Sequence, residues 1–424
     1  MKSQIKRIIA DFHQTPLPDF CPRDLEVPLD LGKIVIIVGP RRAGKTFYLF
    51  QLMSELEKMG IARQKMLYIN FEDERLELDG ANDLIFDAYR ELYPDQDLSQ
   101  VYLFFDEIQE LPKWEKFVRR VLDTISRHIF LTGSNSRLLA REIGTSLRGR
   151  GLSFEILPLS FSEYLKFQNI PPRPPVSSKE RALVGRAFED YCFWGGYPEL
   201  VEVDERFKVQ VLQEYFNVMF YRDLVERYRI SDPAVFKYVL KRLIGSFTKE
   251  FSVHKLFNDL KSRGFSIGKD SLYRIMDQVF DIYMLARTER YDPSVVRREM
   301  SNKKVYLYDN GLATALHYSF AEDRGKRLEN VVFRHLREKT HEIYFLRNDW
   351  ECDFLAFFQN RNPLVVQVAA TLDHANAARE IKGLEAAQRR VTEGQALLLA
   401  ESVQSGLDIP EWIQTPSVVD WLLQ

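Results

Sequence analysis

Residues 33–56 read KIVIIVGPRRAGKTFYLFQLMSEL, and this stretch decides the fold of the first third of the chain. The apolar run at 34–38 predicts a buried strand, and the pattern that begins at Lys45 predicts a helix. Between the two, Gly39 and Gly44 enclose four residues and are followed by a Lys and a Thr. A glycine-rich loop with this spacing, between a strand and a helix, is the P-loop pattern.

The loop has the chemistry of a phosphate site. Glycines let backbone N–H groups close around phosphate oxygens, and the helix N-terminus adds partial positive charge. We expect Lys45 to contact the β- and γ-phosphates of ATP and the Thr46 hydroxyl to bind Mg²⁺. The residues predicted to bind the nucleotide are Gly39, Pro40, Arg41, Arg42, Ala43, Gly44, Lys45, Thr46 and Phe47.

A second apolar run, VYLFFDEIQEL at 101–111, ends in two adjacent acids. After a P-loop, an acid at the end of a strand suits the Walker-B role, so Asp106 is predicted to contact Mg²⁺. Glu107 is placed to polarise an attacking water and is predicted to be catalytic.

Further strands are predicted around these two motifs. KMLYINFED at 65–73 is interpreted as an additional strand between the P-loop and Walker-B strands, which is typical of ATPases with a catalytic Glu. Its terminal Glu72 and Asp73 are expected at the ligand edge of the sheet or in solvent. HIFLTGSNSRLL at 128–139 ends in small polar residues, of which Asn135 or Ser134 is the candidate sensor of the γ-phosphate.

Two arginines precede a predicted fifth strand. Arg148 and Arg150 are either ordinary surface residues or a finger that reaches the γ-phosphate of a neighbouring subunit and neutralises transition-state charge.

Composition excludes several classes of protein. The 424 residues are 45% hydrophobic and 28% charged with a net charge of −2, so any nucleic-acid contact requires a local basic patch. We find no apolar run of the roughly 20 residues that a membrane span requires, and the basic N-terminus is predicted to be a helix instead of a signal peptide. Three widely spaced cysteines indicate neither a disulfide framework nor a zinc finger, and the expected location is cytoplasmic.

The chain resembles prokaryotic AAA-type ATPases that carry an appended domain of restriction-endonuclease-like fold. The stretches that carry this resemblance are GPRRAGKT, YINFED, FFDEIQELPKWE, LTGSNSRLL, LRGRGLSFEILPLSFSEYL, FWGGYPELV, KKVYLYDNGL and LENVVFRHL. The resemblance implies Mg²⁺-dependent ATP hydrolysis and a homo-oligomer, with Arg150 as the arginine finger that acts in trans.

The middle of the chain is predicted to be helical. A Pro-rich linker at 169–178 leads to FWGGYPELV, a tight turn, and then to a long helical run that is interpreted as a lid. Residues 233–310 predict three helices followed by two short strands, which is the winged-helix order. Residues 231–304 hold 15 Lys and Arg against 9 Asp and Glu, an excess of six positive charges, which favours DNA binding over the alternative of a protein contact. The residues predicted to contact DNA are Lys269, Arg274, Arg287 and Arg290.

From residue 325 the predicted order is helix, three strands, helix and strand, which suits the core of the PD-(D/E)XK nucleases. Glu329 falls on the helix, Asp353 on the second strand and Gln367 on the third. A live nuclease holds a metal with acids at these positions, but Gln367 is neutral and Ala369 replaces the usual Lys. We therefore expect a vestigial site, with Lys382 as a possible substitute base.

The predicted fold is α/β: a P-loop core with a parallel sheet at 1–160, a helical lid at 161–230, a winged helix at 231–315 and a nuclease-like α/β domain at 316–424. The leading functional hypothesis is an oligomeric Mg²⁺-ATPase that binds or remodels DNA, with Lys45, Glu107, Arg150 and Asn135 as catalytic residues. A signalling or defence switch that binds a protein partner, and an ATP-coupled nuclease, are the alternatives.

Overall fold

A computed structural model describes residues 1–78, 80–133, 147, 149–316, 324–347, 349–391 and 393–424. The chain divides into two compact units, Met1–Leu157 and Pro158–Gln424. The predicted end of the ATPase core at residue 160 lies close to this division, and the three segments predicted after it belong to the second unit. None of the helices within the described ranges combines the length and the hydropathy that a membrane span needs.

The first unit contains a sheet of five parallel strands. Its strands are β1 (Ile34–Val38), β2 (Met66–Asn70), β3 (Tyr102–Asp106), β4 (Ile129–Gly133) and β5 (Gly151–Glu155). Its helices are α1 (Lys2–Gln14), α2 (Lys45–Lys58), α3 (Ala81–Leu92) and α4 (Trp114–Thr124). The spatial order of the strands is β2-β3-β4-β1-β5.

Helices cover both faces of this sheet, and successive side chains of a strand point to opposite faces. On β1, Ile34 and Ile36 join the apolar cluster that contains residues of α1, α3 and α4. Val35 and Ile37 join a second cluster, which contains the buried side of α2. This explains why β1 is apolar at every position instead of alternating.

The order of the strands corrects one prediction. The strand that separates β1 from β3 is β4, whereas the 65–73 strand, β2, lies at the edge of the sheet. Parallel strands are joined by crossovers, so adjacency in the chain does not require adjacency in the sheet. The predicted separation of the P-loop strand from the Walker-B strand is present, but a different strand produces it.

The second unit begins with helices. These are α5 (Phe161–Phe167), α6 (Ser178–Trp194), α7 (Pro198–Glu202), α8 (Glu205–Val218), a π-helical segment (Met219–Glu226), α9 (Pro233–Gly245), α10 (Val253–Ser262) and α11 (Lys269–Phe280). Short helices α12 (Val295–Met300) and α13 (Gly311–Leu316) follow. Apolar residues from α8, α9, α11 and α13 meet in one cluster with residues of the adjoining strands.

An eight-stranded mixed sheet completes the second unit. Its strands are β6 (Glu250–Phe251), β7 (Leu285–Arg290), β8 (Lys303–Leu307), β9 (Ile343–Arg347), β10 (Glu351–Ala356), β11 (Leu364–Leu372), β12 (Gln395–Val403) and β13 (Ile413–Gln414). They lie in the order β13-β12-β11-β10-β9-β7-β8-β6. Strand β7 pairs with β9, so strands from the predicted 231–315 and 316–424 segments share one sheet.

The remaining helices pack against this sheet. They are α14 (Arg324–Lys339), α15 (Ala377–Gln388) and α16 (Val418–Leu422). Helix α14 contacts β8, β10 and β11, and α15 contacts β10, β11 and β12. A Cβ atom on Gly383 would lie 2.2 Å from the backbone oxygen of Glu351, so only glycine lets α15 approach β10 this closely.

Candidate functional site

The loop after β1 has the backbone that the P-loop pattern requires. Gly44 caps α2 with φ of 93°, and Arg42 adopts φ of 67°, a left-handed conformation that is uncommon for residues other than glycine. A Cβ atom on Gly39 would lie 1.9 Å from the Ile156 carbonyl oxygen, which explains the glycine at that position. The loop therefore ends at the N-terminus of a 14-residue helix, where the first N–H groups have no partner within the helix.

Lys45 is the buried cation of this loop, and its side chain is 4% exposed. Its Nζ atom donates to the Pro40 carbonyl at 3.1 Å and lies 3.4 Å from Oε1 of Glu107. Lys45 thus bridges the loop and the acid that follows β3. Lys45 and Glu107, which were predicted separately as catalytic residues, therefore lie side by side.

Asp106 is fully buried at the end of β3 and accepts three side-chain hydrogen bonds. Thr46 Oγ1 donates to Asp106 Oδ2 at 2.8 Å, and the Tyr68 hydroxyl donates to the same oxygen at 3.0 Å. Thr132 donates to Oδ1. Burial raises the pKa of Asp106, while the three hydrogen bonds act in the opposite direction. The two residues predicted to contact a metal, Thr46 and Asp106, are therefore in direct contact.

These residues fit a magnesium ion. Mg²⁺ prefers hard oxygen ligands and is usually held by one or two protein groups together with water and substrate phosphates. The Thr46 hydroxyl and the Asp106 carboxylate are such oxygens, and they lie beside the ammonium and the helix N-terminus that suit phosphate.

Glu107 has an unusual backbone and a well-defined side chain. Its φ of 49° is left-handed, and its N–H donates to Thr132 Oγ1 at 2.8 Å, which orients the residue. Gln109 Nε2 donates to Glu107 Oε2 at 2.5 Å. Burial disfavours the carboxylate, but the charge of Lys45, the hydrogen bond from Gln109 and the charge of Arg41 outweigh it and lower the pKa of Glu107. The side chain is therefore a carboxylate at neutral pH.

Three residues of this site were missed in the sequence. Tyr68 and Thr132 lie near the ends of the strands on either side of β3, where parallel strands bring polar residues together. Gln109 stands two residues after Glu107 in the VYLFFDEIQEL stretch. A polar residue at the end of an apolar strand was the available signal for Thr132; nothing local distinguished Tyr68 from a core residue.

Other predicted residues lie around the loop. Arg41 Nη1 donates to Glu72 Oε1 at 3.0 Å, and Asp73 instead pairs with Arg75. Phe47 is exposed and lies edge-on to Phe50.

Of the predicted sensor and finger residues, only one can be located. Arg150 is half-buried with its side chain 40% exposed, and its Nη1 atom contacts both carboxylate oxygens of Asp123 at 2.7 Å. Asn135, its alternative Ser134 and Arg148 lie outside the described residues.

The predicted DNA-contacting residues lie on or after α11. Lys269 and Arg274 are exposed on this helix, opposite a buried face that includes Leu272, Ile275 and Val279. Arg287 is exposed on β7 and pairs with Asp277 at 3.4 Å, and Arg290 is half-buried at the end of the same strand.

The predicted vestigial nuclease residues occupy the predicted elements, Glu329 on α14, Asp353 on β10 and Gln367 on β11. Glu329 and Asp353 lie together, but between them lies Lys304 of β8, which the sequence analysis did not single out. Lys304 is the second of the two lysines that begin β8, and nothing local distinguished it from Lys303. Gln367 instead donates to Glu380 of α15 at 2.5 Å.

Lys382, predicted as a possible substitute base, takes no part in this group of residues. Its Nζ atom lies 4.6 Å from the centre of the Trp350 ring.

Two family models and a solved structure match parts of the chain. Residues 31–165 match a family model described as an AAA domain, and residues 185–323 match a domain of unknown function, DUF8612. The Walker-type ATPase PABY2304 of Pyrococcus abyssi is a structural neighbour with a TM-score of 0.44 and 13% identity, over 74% of this chain and 95% of that chain.

Three relatives match most of the chain. The uncharacterized protein MJ1544 of Methanocaldococcus jannaschii is 38% identical over 86% of this chain and 81% of its own length. An uncharacterized protein of Haemophilus influenzae is 28% identical over 93% and 95%. MJ1637 of M. jannaschii is 22% identical over 90% and 83%. The chain therefore belongs to the family of MJ1544, and its first unit is an AAA-type P-loop ATPase domain.

Proposed function

We propose that the protein is an Mg²⁺-dependent ATPase whose nucleotide site is formed by residues 39–47 with Asp106 and Glu107. The observation that carries this proposal is one buried arrangement: Lys45 beside Glu107, and Thr46 hydrogen-bonded to Asp106. It combines a phosphate-binding cation, two oxygen ligands for a metal and a carboxylate that can act on water.

The roles follow from the contacts. Lys45 would exchange its weak contacts with the Pro40 carbonyl and Glu107 for phosphate oxygens, while the loop N–H groups surround the phosphates. Thr46 and Asp106 would hold Mg²⁺, which supplies charge neutralisation on the phosphates. Tyr68 and Thr132 keep the Asp106 carboxylate oriented.

Glu107 would be the general base. Its lowered pKa keeps it ionised, so it can accept a proton from, or polarise, the attacking water. Release of Lys45 toward phosphate would free Oε1 of Glu107 for that water, and Gln109 would still hold Oε2.

Arg150 would act on the nucleotide of a neighbouring subunit in a homo-oligomer. Support comes from its partial exposure and from its partner, since an exposed ion pair such as Arg150 with Asp123 contributes little and is easily exchanged. Asn135 would sense the γ-phosphate of the bound ATP.

The second unit would bind DNA. The order α9, β6, α10, α11, β7, α12 and β8 resembles that of a winged helix with α12 inserted between the last two strands, and residues 161–230 would form a helical lid. The exposed cations Lys269 and Arg274 on α11, together with Arg287 and Arg290 of β7, would contact phosphates.

A second candidate is a nucleotide-controlled switch that binds a protein. It is favoured by α12, between β7 and β8, where Val295, Val296 and Met300 are exposed, with Met300 84% exposed. Apolar side chains at this place suit a protein contact better than a phosphate backbone.

The test is the rate of phosphate release from Mg-ATP by the full chain, with and without duplex DNA, beside the variants K45A and K269A/R274A. We expect turnover that K45A abolishes, and DNA stimulation that K269A/R274A removes without loss of basal turnover. Absence of turnover in the native protein would refute the ATPase. Turnover that ignores DNA would favour the switch.

A further inference from the structure

The second unit contains a buried cluster of charges that is separate from the proposed ATPase site. At its centre is Lys304 of β8, whose side chain is 2% exposed. Its Nζ atom lies 2.8 Å from Oε1 of Glu351, 3.3 Å from Oε1 of Glu329 and 3.3 Å from Oδ1 of Asp353. One ammonium therefore contacts three carboxylates, which come from α14 and β10.

A β-bulge helps to build this cluster. The pairing of β10 with β9 shifts register between Cys352 and Leu355, and both of these residues lie in the apolar cluster shared with α15. The residues between them are Asp353, which contacts Lys304, and Phe354, which lies near the rings of Tyr306 and Phe333 on the α14 side. A bulge of this kind redirects a side chain from the face that simple alternation would give it.

Two of the acids have a further hydrogen-bond donor. The Tyr306 hydroxyl donates at 2.8 Å to Oε1 of Glu329, the same oxygen that Lys304 contacts, and the Val368 N–H donates at 3.0 Å to Oδ2, the other oxygen of Asp353. Gln367 turns to other groups, because its Nε2 donates to Glu380 and its Oε1 accepts from the Asp353 N–H at 3.2 Å.

These residues do not fit the divalent metal of a restriction-type nuclease. Such an ion needs anionic oxygens at about 2.0–2.6 Å in a shell around it, and here an ammonium lies among the carboxylates and would repel it. Gln367 contributes no oxygen to the cluster. Throughout the described part of the chain, no group of three or more His, Cys, Asp or Glu side chains is arranged to hold a metal.

We infer that the Lys304 ammonium is the resident cation of this acid cluster, which joins β8 to α14 and β10 and leaves no place for a divalent metal. The site that in a nuclease would bind metal is thus an internal ion-pair cluster. This inference does not depend on the proposed ATPase activity, because the cluster lies wholly in the second unit.

The pKa shifts of the three acids are consistent with a single ammonium among them. Burial and the charge of Glu329 raise the pKa of Asp353 to about 7, and burial also raises the pKa of Glu329. Burial of Glu351 is outweighed by Lys304, so its pKa is lowered. Glu351 is then the permanent counter-ion of Lys304, while Glu329 and Asp353 retain protons more readily than ordinary acids.

The experiment is a titration of the nucleotide-free full chain with Mn²⁺, read by electron paramagnetic resonance, for the native protein, K304M and K304M/D353N. Methionine keeps the length of the side chain and removes its charge. We expect K304M to bind one Mn²⁺ more per chain than the native protein, and K304M/D353N to bind that ion at least about tenfold more weakly. The P-loop is the same in all three proteins, so any Mn²⁺ bound there does not contribute to the differences between them.

A folded K304M without the additional site would overturn the inference. So would a native protein whose own Mn²⁺ binding is lost in D353N, or divalent-dependent DNA cleavage that D353N abolishes. The last two measurements use the native chain and D353N, so they decide the question even where K304M does not fold. The effect of K45A on ATP hydrolysis tests the proposed function and does not change the interpretation of these measurements.

Discussion

Among the described residues, two buried lysines face carboxylates, and their surroundings differ. Lys45 lies at a helix N-terminus, beside a glycine loop, and its ammonium lies 3.4 Å from the carboxylate of Glu107. Lys304 lies on a strand, in contact with the carboxylates of Glu329, Glu351 and Asp353. The first cation has a partial set of contacts that an anionic ligand can replace, whereas the second has a complete set.

The comparison shows that a buried ion pair is not in itself evidence of function. Removing a charge from water is costly, and the cost is recovered only where geometry and further hydrogen bonds are good. Around Lys304 the acids are additionally bonded by Tyr306 and the Val368 N–H. Around Lys45 the first N–H groups of α2 have no partner within the helix and suit an anionic ligand, which is what distinguishes a binding site from a structural cluster.

The largest expected effect is on kcat, and it distinguishes Glu107 from the acids of the Lys304 cluster. Glu107→Gln keeps the shape of the side chain and removes the base, so kcat for ATP should fall about 10²–10⁴-fold while ATP still binds. The matched change Glu351→Gln, in the Lys304 cluster, should leave kcat unchanged. Phosphate release and equilibrium binding of a fluorescent ATP analogue measure the two quantities. Equal losses in the two variants would contradict the division of roles.

The second prediction concerns pH, because the pKa of Glu107 is lowered whereas that of Asp353 is raised. Asp353 has a pKa of about 7 in the folded chain against an ordinary value of 3.8. Between these values the folded state holds the extra proton, so the free energy of unfolding falls as pH rises from about 4 to 7 and is constant above. The slope is at most about 1.4 kcal/mol per pH unit for one proton.

Hydrogen exchange of peptides from β8, β10 and α14, followed from pH 5 to pH 8 with correction for intrinsic exchange, measures this slope. In D353N the slope should become shallower by the contribution of Asp353, and the part that comes from the raised pKa of Glu329 should remain. D373N is the matched control, since Asp373 lies outside the cluster and should leave the slope unchanged. A slope in D353N as steep as that of the native protein would show that Asp353 does not carry the proton.

The sequence determined the first site more fully than the second. The P-loop residues are close in the chain, and Asp106 and Glu107 lie at the end of an apolar strand, so spacing alone assigned these residues to one predicted site. The order of the strands was wrong at β2, because a crossover connection does not determine which strands are neighbours. For the second cluster, the pattern placed Glu329 and Asp353 on the right elements, but it offered only Lys382 in place of the Lys that Ala369 replaces.

Lys304 could not be predicted because its position depends on long-range pairing. It comes from β8, in the segment predicted as a winged helix, and reaches the acids only because β7 pairs with β9 in one continuous sheet. The β7–β9 register pairs Glu289 with Tyr344, which are far apart along the chain, so it leaves no local signal. The predicted domain boundary at residue 315 also separated these two strands.

The smallest expected effect tests whether the contacts around Glu107 position it for catalysis. Gln109→Ala removes the donor to Glu107 Oε2, so the pKa of Glu107 should rise and the acidic limb of the pH–kcat profile should move to higher pH. Loss of one hydrogen bond to a charged group, about 1.5 kcal/mol, corresponds to roughly a tenfold loss of turnover at the pH of the limb and less above it. Gln100→Ala, an exposed residue before β3, is the matched control and should leave the profile unchanged. A uniform loss of kcat at every pH would mean that Gln109 only supports the local fold. A shift of the acidic limb would instead show that Gln109 controls the pKa of Glu107, a catalytic role that we assign to no residue of the Lys304 cluster.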